Sequence, residues 1–368
     1  MTAVSDKTSG NPKTLQSEYL RTGFYPVVDQ GKNLIAGFTN DPTLLHRTSG
    51  PVIVFGDHTR CFKYVDFPFS MGADGVKVLK PQAGWDPKFL YYYLTSLPLP
   101  NAGYSRHFKF LKEQAIIQPP LRDQRRIAEV LDWADDLRAK RREAVAHLDD
   151  LTQSIFLDLL SCYDPTKSEW ESSLQLGEVA DISSGITKGR KTSEKSLRTV
   201  PYLAVANVQD KRIELSSVKQ IEATEQEIER YQLRKDDLLL TEGGDPDKLG
   251  RGSLWNDELP EAIHQNHIFR ARITDPRRVN PVYLNYFISS DRGKRYFLRS
   301  AKQTTGIASI NMVQLRRFPL LLPPIEAQQE FARRVRAVQS LGATHRASLS
   351  EMGALFVSLQ DRAFRGML

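Results

Sequence analysis

The sequence predicts an α+β chain with two tandem globular domains, separated and followed by long helices that pair as an antiparallel coiled coil. A double proline followed by an amphipathic run occurs twice, at Pro119 and at Pro323. The segments upstream of the two runs also match each other, and they mix short apolar strands with short helices. Both runs repeat apolar residues at alternating steps of three and four, as a coiled-coil seam requires.

The repeat extends over most of the chain and sets the predicted domain bounds. The matched pairs are VSDKTSG with VADISSG, YPVVDQG with PYLAVANVQ, GPVIVFGDHTR with DDLLLTEGGDPDKLGRG, WDPKFLYYYL with VNPVYLNYFI, and HFKFLKEQAIIQPP with ASINMVQLRRFPLLLPP. We therefore predict a first domain at residues 1–118, a first helix at 119–162, a polar connector at 163–173, a second domain at 174–322 and a second helix at 323–368. The second domain is longer chiefly through residues 212–234, which predict an extra strand and helix.

The seam of the first helix is apolar at eight of nine positions and that of the second is weaker. The positions are Ile127, Val130, Ala134, Leu137, Arg141, Ala144, Leu148, Leu151 and Ile155, and then Phe331, Arg334, Val338, Leu341, His345, Ser348, Met352, Leu355 and Leu359. Arg141 and His345 are equivalent and interrupt the seam, so we predict a polar layer that fixes helix register. The alternatives are that each helix packs only on its own domain, and that the Arg141 stem extends to water.

The bulk composition favours a protein of the cytoplasm with an anionic partner. The 368 residues carry a formal net charge of +7 and a sequence pI of about 9.2, which fits nucleic acid, although many basic proteins have no such partner. Apolar runs are too short to cross a bilayer, and the first residues lack the pattern of a secretory signal. Cys61 and Cys162 form no CxxC pair, which favours a reducing compartment.

Polar loops at matching places in the two domains are the predicted nucleic-acid contacts. Arginine can bridge guanine, asparagine and glutamine can bridge adenine, and carboxylates can accept from cytosine, while other basic side chains hold phosphates. The first domain offers Gln30, Lys32, Asn33, Asp57, His58 and Arg60. The second offers Lys188, Arg190, Lys191, Asn207, Glu242, Asp245, Lys248, Arg251, His264, Gln265 and Asn266. Solvated loops of this composition are also common in proteins that bind no nucleic acid.

Motifs of catalysis are not found in the sequence. The stretch GITKGRKTS has the wrong glycine spacing for a phosphate loop, and no HExxH or GxSxG motif occurs. His264 and His267 form an HxxH pair without a third spaced ligand, so we predict no metal site. A carboxylate-rich nuclease centre has no spacing signature and stays open.

The helical stretches, together with GPVIVFGDHTRCFKYVDFPF and TTGIASINMVQLRRFPLLLPPIEAQQEF, resemble the specificity (S) subunit of type I restriction-modification systems. The resemblance covers nearly the whole chain and implies two target-recognition domains that each read one half of a split, asymmetric site on double-stranded DNA. It also implies that the helices set the gap between the halves and that the chain has no catalytic centre.

The resemblance further implies partner subunits that perform the chemistry. Two methyltransferase (M) subunits would use S-adenosylmethionine to methylate adenine, and restriction (R) subunits would use ATP with Mg; this chain itself would hold no cofactor. Two other functions remain open at this stage, a stand-alone DNA-acting enzyme and a repurposed scaffold that binds DNA or protein.

Overall fold

The structure is a computed structural model that describes residues 3–101, 103, 105–162, 174–190, 196–245, 249–304 and 307–367. It divides into two compact units, which we call unit 1 (residues 1–146 with 343–368) and unit 2 (residues 147–342). This division passes through both long helices, so the domain boundaries at 118 and 322, which follow the repeat, stay predictions.

Unit 1 contains two small sheets, two short helices and parts of both long helices. Its strands are β1 (Val4–Asp6), β2 (Tyr25–Val28), β3 (Gly37–Thr39), β4 (Val52–Gly56), β5 (Phe62–Val65), β6 (Ser70–Met71) and β7 (Val76–Pro81). Its helices are α1 (Pro87–Ser96), α2 (Phe108–Lys112), the start of α3 (Leu121–Ser161) and the end of α9 (Ile325–Phe364).

Unit 2 contains the remaining parts of α3 and α9 and a larger set of short elements. Its helices are α4 (Leu176–Val179), α5 (Glu225–Tyr231), α6 (Pro281–Ile288), α7 (Asp291–Ser300) and α8 (Met312–Arg316). Its strands are β8 (Ala180–Ser184), β9 (Arg198–Leu203), β10 (Val208–Gln209), β11 (Arg212–Ile213), β12 (Lys219–Ala223), β13 (Leu238–Thr241), β14 (Gly243–Gly244), β15 (Gly252–Leu254), β16 (Ile263–His264), β17 (Ile268–Ile273), β18 (Lys302–Thr304) and β19 (Ile307–Ser309).

The sheet topology repeats between the units. Unit 1 has a four-stranded antiparallel sheet of order β1-β7-β4-β5, and unit 2 has one of order β8-β17-β13-β15. Each unit also has a three-stranded sheet with one parallel pair of strands. Its order is β3-β2-β6 in unit 1 and β12-β9-β16 in unit 2. Strands that matched in sequence therefore occupy the same place in their sheets.

The expected extra strand and helix at residues 212–234 are both present, as strand β11 and helix α5. Strand β12, in the same stretch, takes the place of β3 in its sheet, so it belongs to the shared topology. Further extra length of unit 2 forms β10, which pairs with β11, the β14-β19-β18 sheet and helix α7.

Each long helix is tied to its unit by one buried glutamine just after the double proline. Gln124 is fully buried; its Nε2 donates to the carbonyls of Pro119 and Gly84 at 2.8 and 3.1 Å, and its Oε1 accepts from Asp86 N at 2.8 Å. Gln328 repeats this arrangement with the carbonyls of Pro323 and Arg278 and with Asn280 N.

Asp86 and Asn280 also cap the next helix of their unit. The Asp86 carboxylate accepts from Phe89 N, and the Asn280 side chain accepts from Val282 N, both at 2.9 Å. A proline follows each cap at the first helical position, where the missing N–H costs nothing. The N-termini of α1 and α3 therefore lie next to each other in space, and so do the N-termini of α6 and α9.

Apolar contacts bury parts of both long helices, whereas the predicted seam residues Val130, Leu151, Leu341 and Leu355 are exposed, so the seam is only partly covered within the units. In unit 1, Leu131 packs in a cluster with Phe89, Tyr92 and Phe356. In unit 2, the Phe156 ring lies 5.7 Å from that of Phe331. Among the described residues, no helix is long and apolar enough to span a bilayer.

Candidate nucleic-acid interface

The two polar loops predicted for the first domain lie against each other in unit 1. Gln30 Oε1 accepts from His58 N at 3.4 Å, and the Thr59 hydroxyl donates to the Gln30 carbonyl at 2.5 Å. Lys32 and Asn33 are exposed on the same loop. Thr59 belongs to the same predicted loop, GDHTR, as Asp57, His58 and Arg60.

Asp57 has a structural role in this cluster. It is only 3% exposed; its Oδ1 accepts from Phe108 N at 2.7 Å, and its carbonyl accepts from His107 N at 2.9 Å. The carboxylate thus holds the start of α2. Arg60 is half-buried at a positive φ of 61° and donates to the Leu99 carbonyl at 3.3 Å, so its guanidinium is partly occupied within the unit.

Three predicted loops of unit 2 converge, namely residues 185–190, 242–245 and 264–267. Ile186 N donates to the His264 carbonyl at 2.8 Å, and Asn266 N donates to the Ile186 carbonyl at 3.0 Å. His267 Nδ1 donates to Glu242 Oε2 at 2.6 Å. A Cβ at Gly185 would lie 1.8 Å from the His264 carbonyl oxygen, so this close approach of two loops requires glycine.

The charged side chains of these loops differ in exposure and in hydrogen bonding. Arg190 is held by Glu227, with Nε donating to Oε1 at 2.5 Å, and this hydrogen bond raises the pKa of the arginine. Lys188 and Asp245 are exposed. Lys191 and Lys248 lie outside the described residues.

Asn207 and Arg251 lie near the β10-β11 hairpin. Asn207 is 1% exposed; its Oδ1 accepts from Ala204 N and its Nδ2 donates to the Glu214 carbonyl, so it shapes the turn before that hairpin. Arg251 is half-buried and donates to Gln209 Oε1 at 3.2 Å. Gln209 is the last residue of the matched stretch PYLAVANVQ and was not among the predicted contacts.

His264 is enclosed in the core of unit 2. Its Nδ1 donates to the Ile268 carbonyl at 3.0 Å, and burial lowers the pKa of the imidazole to about 4. Burial removes His264, Asn207 and Asp57 from the surface that could contact a base, so the expectation of base contact is corrected for these three. The burial of these three residues could not be predicted from the sequence, because each residue lies next to a polar turn.

The buried neutral His264 predicts that unit 2 loses stability in mild acid. Because its folded pKa lies below the ordinary value near 6.5, the unfolded chain binds more protons between the two values. The stabilising contribution is complete above about pH 6.5 and falls toward pH 4, by up to about 1.4 kcal/mol per pH unit. Chemical denaturation of His264→Leu across this range should show a shallower pH dependence than the wild type.

The matched control is Gln265→Leu, which makes the same substitution at the neighbouring half-buried residue and removes no titratable group. It should keep the pH dependence of the wild type. If His264→Leu and the wild type gave parallel curves between pH 6.5 and 4, the assignment of a neutral buried imidazole would be wrong.

Gln265 and Asn266 are the amide side chains of the convergent loops with free hydrogen-bonding groups. Their backbone amides donate to the carbonyls of Leu203 and Ile186, which fixes the loop. Within the described part of the chain, neither side chain makes a hydrogen bond, and both are half-buried. A rigid backbone that presents free amides can read a base edge through paired donor and acceptor groups.

Metal binding has no support in these loops. Within the ranges that the structure describes, no three His, Cys, Asp or Glu side chains form a group that could hold a metal ion. Instead, the candidate loops of both units carry amide, carboxylate and basic side chains on a backbone that hydrogen bonds hold in place.

Comparison with known families decides the affiliation. The family model of the type I restriction modification DNA specificity domain matches residues 4–147 and again residues 167–351. The chain belongs to the type I restriction-modification DNA specificity domain family. The two matches coincide with the two copies of the repeat, so the resemblance to specificity subunits is confirmed.

Relatives and solved structures of this specificity family agree in fold. The chain is 25% identical over 268 residues to the type I restriction enzyme EcoKI specificity subunit of Escherichia coli strain K12, an alignment that covers 68% of this chain and 57% of that protein. The chain therefore spans less than two thirds of that relative. A type I restriction-modification S subunit from M. genitalium matches with a TM-score of 0.59 and 16% identity over 99% of this chain and 94% of that chain.

A second solved structure comes from work on complex assembly and conformational transition of the type I restriction-modification system. It matches with a TM-score of 0.53 and 16% identity, and covers all of this chain and 95% of that chain. This chain thus shares its mixed helix and strand fold with both of these solved structures.

Proposed function

We propose that this chain is the DNA sequence-specificity subunit of a type I restriction-modification complex. In this proposal, each domain reads one half of a bipartite, asymmetric site on double-stranded DNA. The observation that carries the proposal is the double match of the specificity family, once per repeat. The equal sheet order of the two units supports it, because two related heads suit two separate half-sites.

The proposed DNA surface consists of the accessible members of the polar loops. In unit 1 these are Gln30, Lys32, Asn33, His58 and Arg60, and in unit 2 they are Lys188, Arg190, Glu242, Asp245, Arg251, Gln265 and Asn266. Lys191 and Lys248 remain proposed phosphate contacts from the sequence alone. The amides of Gln265 and Asn266 are the strongest candidates for base contact, since no other described residue hydrogen-bonds to these two side chains.

The long helices are proposed to form an antiparallel coiled coil that sets the gap between the half-sites. Within unit 1, Arg141 Nη1 donates to His345 Nδ1 at 2.8 Å, and the Arg138 guanidinium lies 4.4 Å from the centre of the Phe356 ring. Earlier residues of α3 thus meet later residues of α9, as an antiparallel pair requires. The contact between Arg141 and His345 supports the proposed polar layer that fixes register.

The partners in this proposal are two methyltransferase subunits and restriction subunits, which would bring S-adenosylmethionine and ATP with Mg. This chain would hold no cofactor and perform no catalysis, and it would act on DNA in the cytoplasm. Methylation-aware sequencing of host DNA tests the proposal: one split motif with modified adenine should be present, and deletion of this chain should remove it. DNA turnover by the isolated chain with magnesium and S-adenosylmethionine would instead favour a stand-alone enzyme.

Lengthening both helices together should lengthen the gap that the complex reads. Seven residues inserted after Arg142 in α3 and seven after Arg346 in α9 add about 10 Å at 1.5 Å per residue. This corresponds to about three base pairs of duplex. Sequencing of methylated DNA should then show the same half-sites with a gap longer by about three base pairs.

Two further variants complete this test. Insertion into α3 alone should abolish recognition, because the two seams no longer match. Arg141→Leu combined with His345→Leu should allow more than one gap length if the polar layer fixes register. An unchanged gap after the paired insertion would argue that the helices do not measure the site.

A further inference from the structure

The loop of residues 29–33 in unit 1 is hydrogen-bonded to the hairpin that β4 and β5 form. The Thr59 hydroxyl, in the turn of this hairpin, donates to the Gln30 carbonyl at 2.5 Å. The Lys63 ammonium, on β5, donates to the Asp29 carbonyl at 2.7 Å. These two carbonyls belong to the peptide groups on either side of the Gln30 Cα. The backbone that carries the Gln30 side chain is therefore held on both sides.

Lys63 is a buried cation, and Asp29 is its counterion. Lys63 is 5% exposed, and its Nζ lies 3.3 Å from Asp29 Oδ1. The same Oδ1 accepts from Gly31 N at 2.8 Å. Burial lowers the pKa of Lys63, and the Asp29 carboxylate opposes this shift. One ammonium thus holds both the carbonyl and the carboxylate of Asp29, and the carboxylate in turn holds the backbone at Gly31.

Asp29 is also closely packed by Tyr19 and Gly72. A Cβ at Gly72 would lie 2.5 Å from Tyr19 Oη and 2.6 Å from Asp29 Cβ, so a side chain there would force the loop to move. Gly72 N donates to the Val28 carbonyl, directly before the loop, at 2.9 Å. The first residue of the loop is therefore fixed by packing as well as by Lys63.

The repeated topology does not itself require a cation at this place. Strand β15 occupies in unit 2 the sheet position that β5 occupies in unit 1, and its residues Gly252–Leu254 carry no charge. The loop after β9, which is the middle strand of its sheet as β2 is, is held by Asn207 instead. The Asn207 side chain bonds to Ala204 N and to the Glu214 carbonyl. Each unit thus holds this loop with a buried polar side chain, from a different element in each case.

We propose that Lys63 is a positioning residue for base recognition by unit 1. It does not contact DNA; it fixes the backbone from which Gln30 and Asn33 reach the bases. An amide reads a base edge through paired hydrogen bonds, and these weaken steeply when their angles change, so a tilt of the loop reduces discrimination. The inference rests on the proposed function and adds to it a residue outside the predicted contacts.

Hydrogen exchange of the free full-length chain tests the positioning without DNA. Lys63→Met should speed exchange of the backbone amides of residues 29–36 by about tenfold or more, since the loop loses a charge-assisted hydrogen bond. Lys80→Met is the matched control, because Lys80 Nζ likewise donates to a backbone carbonyl, that of Ser49, before the other end of β4. It should leave exchange of residues 29–36 unchanged. Equal exchange in Lys63→Met and the wild type would overturn the inference.

Binding of the assembled complex to a library of DNA sequences, read by sequencing, tests the effect on recognition. Gln30→Ala combined with Asn33→Ala identifies the base positions that the loop reads. Lys63→Met should lower discrimination at those same positions by about fivefold or more and leave the other half-site intact. Thr59→Val removes the second hydrogen bond from an exposed turn, so it provides the same test if Lys63→Met does not fold. Lys80→Met should leave every base preference unchanged.

The outcomes separate this inference from the proposed function. A wild-type complex without base preference in either half-site would overturn the proposed function, and the role of Lys63 with it. If the wild type discriminates while Lys63→Met and Thr59→Val keep its preferences, only the inference is overturned. Equal losses in both half-sites, or an equal effect of Lys80→Met, would also show that Lys63 has no specific role in positioning the loop.

Discussion

Gln124→Leu and Gln328→Leu are each expected to lower the free energy of unfolding by about 2–4 kcal/mol. Each glutamine is fully buried and makes three hydrogen bonds that join the start of a long helix to its unit. Leucine fills a similar volume but removes all three hydrogen bonds. In Gln124→Leu the Pro119 carbonyl and the Asp86 amide lose their glutamine partner, and the Gly84 carbonyl keeps only Gln118. Chemical denaturation of the full chain, followed by circular dichroism, measures the change.

The control for this prediction is Gln118→Leu. Gln118 also donates to the Gly84 carbonyl, at 3.0 Å, but it is exposed, so water can replace the lost hydrogen bond. Its effect should stay within about 0.5 kcal/mol. Equal effects of Gln118→Leu and Gln124→Leu would show that burial of the amide does not govern the stability of this junction.

The double variant Gln265→Ala and Asn266→Ala is expected to relax recognition of one half-site and leave the other intact. Each amide that reads a base edge contributes about 1–3 kcal/mol of discrimination. Discrimination should therefore fall by about fivefold to 150-fold at each base position that one of the two amides reads. Binding of the assembled complex to a library of DNA sequences, read by sequencing, gives the preference at every position of both half-sites.

Lys219→Ala serves as the control, because Lys219 is exposed on β12, outside the convergent loops. It should leave all base preferences unchanged. Loss of preference in both half-sites for the double variant would indicate a general loss of folding or binding. Unchanged preference at every position would remove Gln265 and Asn266 from the proposed base contacts.

The order of domains and helices could be predicted from the sequence, because the duplicated segments show the same pattern of apolar residues and prolines twice. Pro119 and Pro323 locate the starts of the long helices within two residues, since proline cannot occupy a helix interior. The equivalence of Arg141 and His345 followed from the same comparison, and their side chains lie in contact.

The accessible part of the candidate surface was less readable. His264 and Gln265 are neighbours in a polar stretch, yet the first is fully buried and the second is half-buried with a side chain that no other described residue hydrogen-bonds. Composition treats them alike, because only the packing of residues 185–190 against residues 264–267 decides which side chain points inward. The same holds for Asn207, whose amide is used by the turn around it.

The sequence alone therefore determined the tandem repeat, the long helices, the family and the loops where recognition is proposed. Periodicity and chain-breaking residues act locally, and they can be read without knowing what lies across the fold. The tertiary structure alone decided the glutamine junctions and the burial of three predicted contacts. These features depend on which distant segments of the chain come into contact. Burial and side-chain hydrogen bonds form between such segments, so a single stretch of sequence does not predict them.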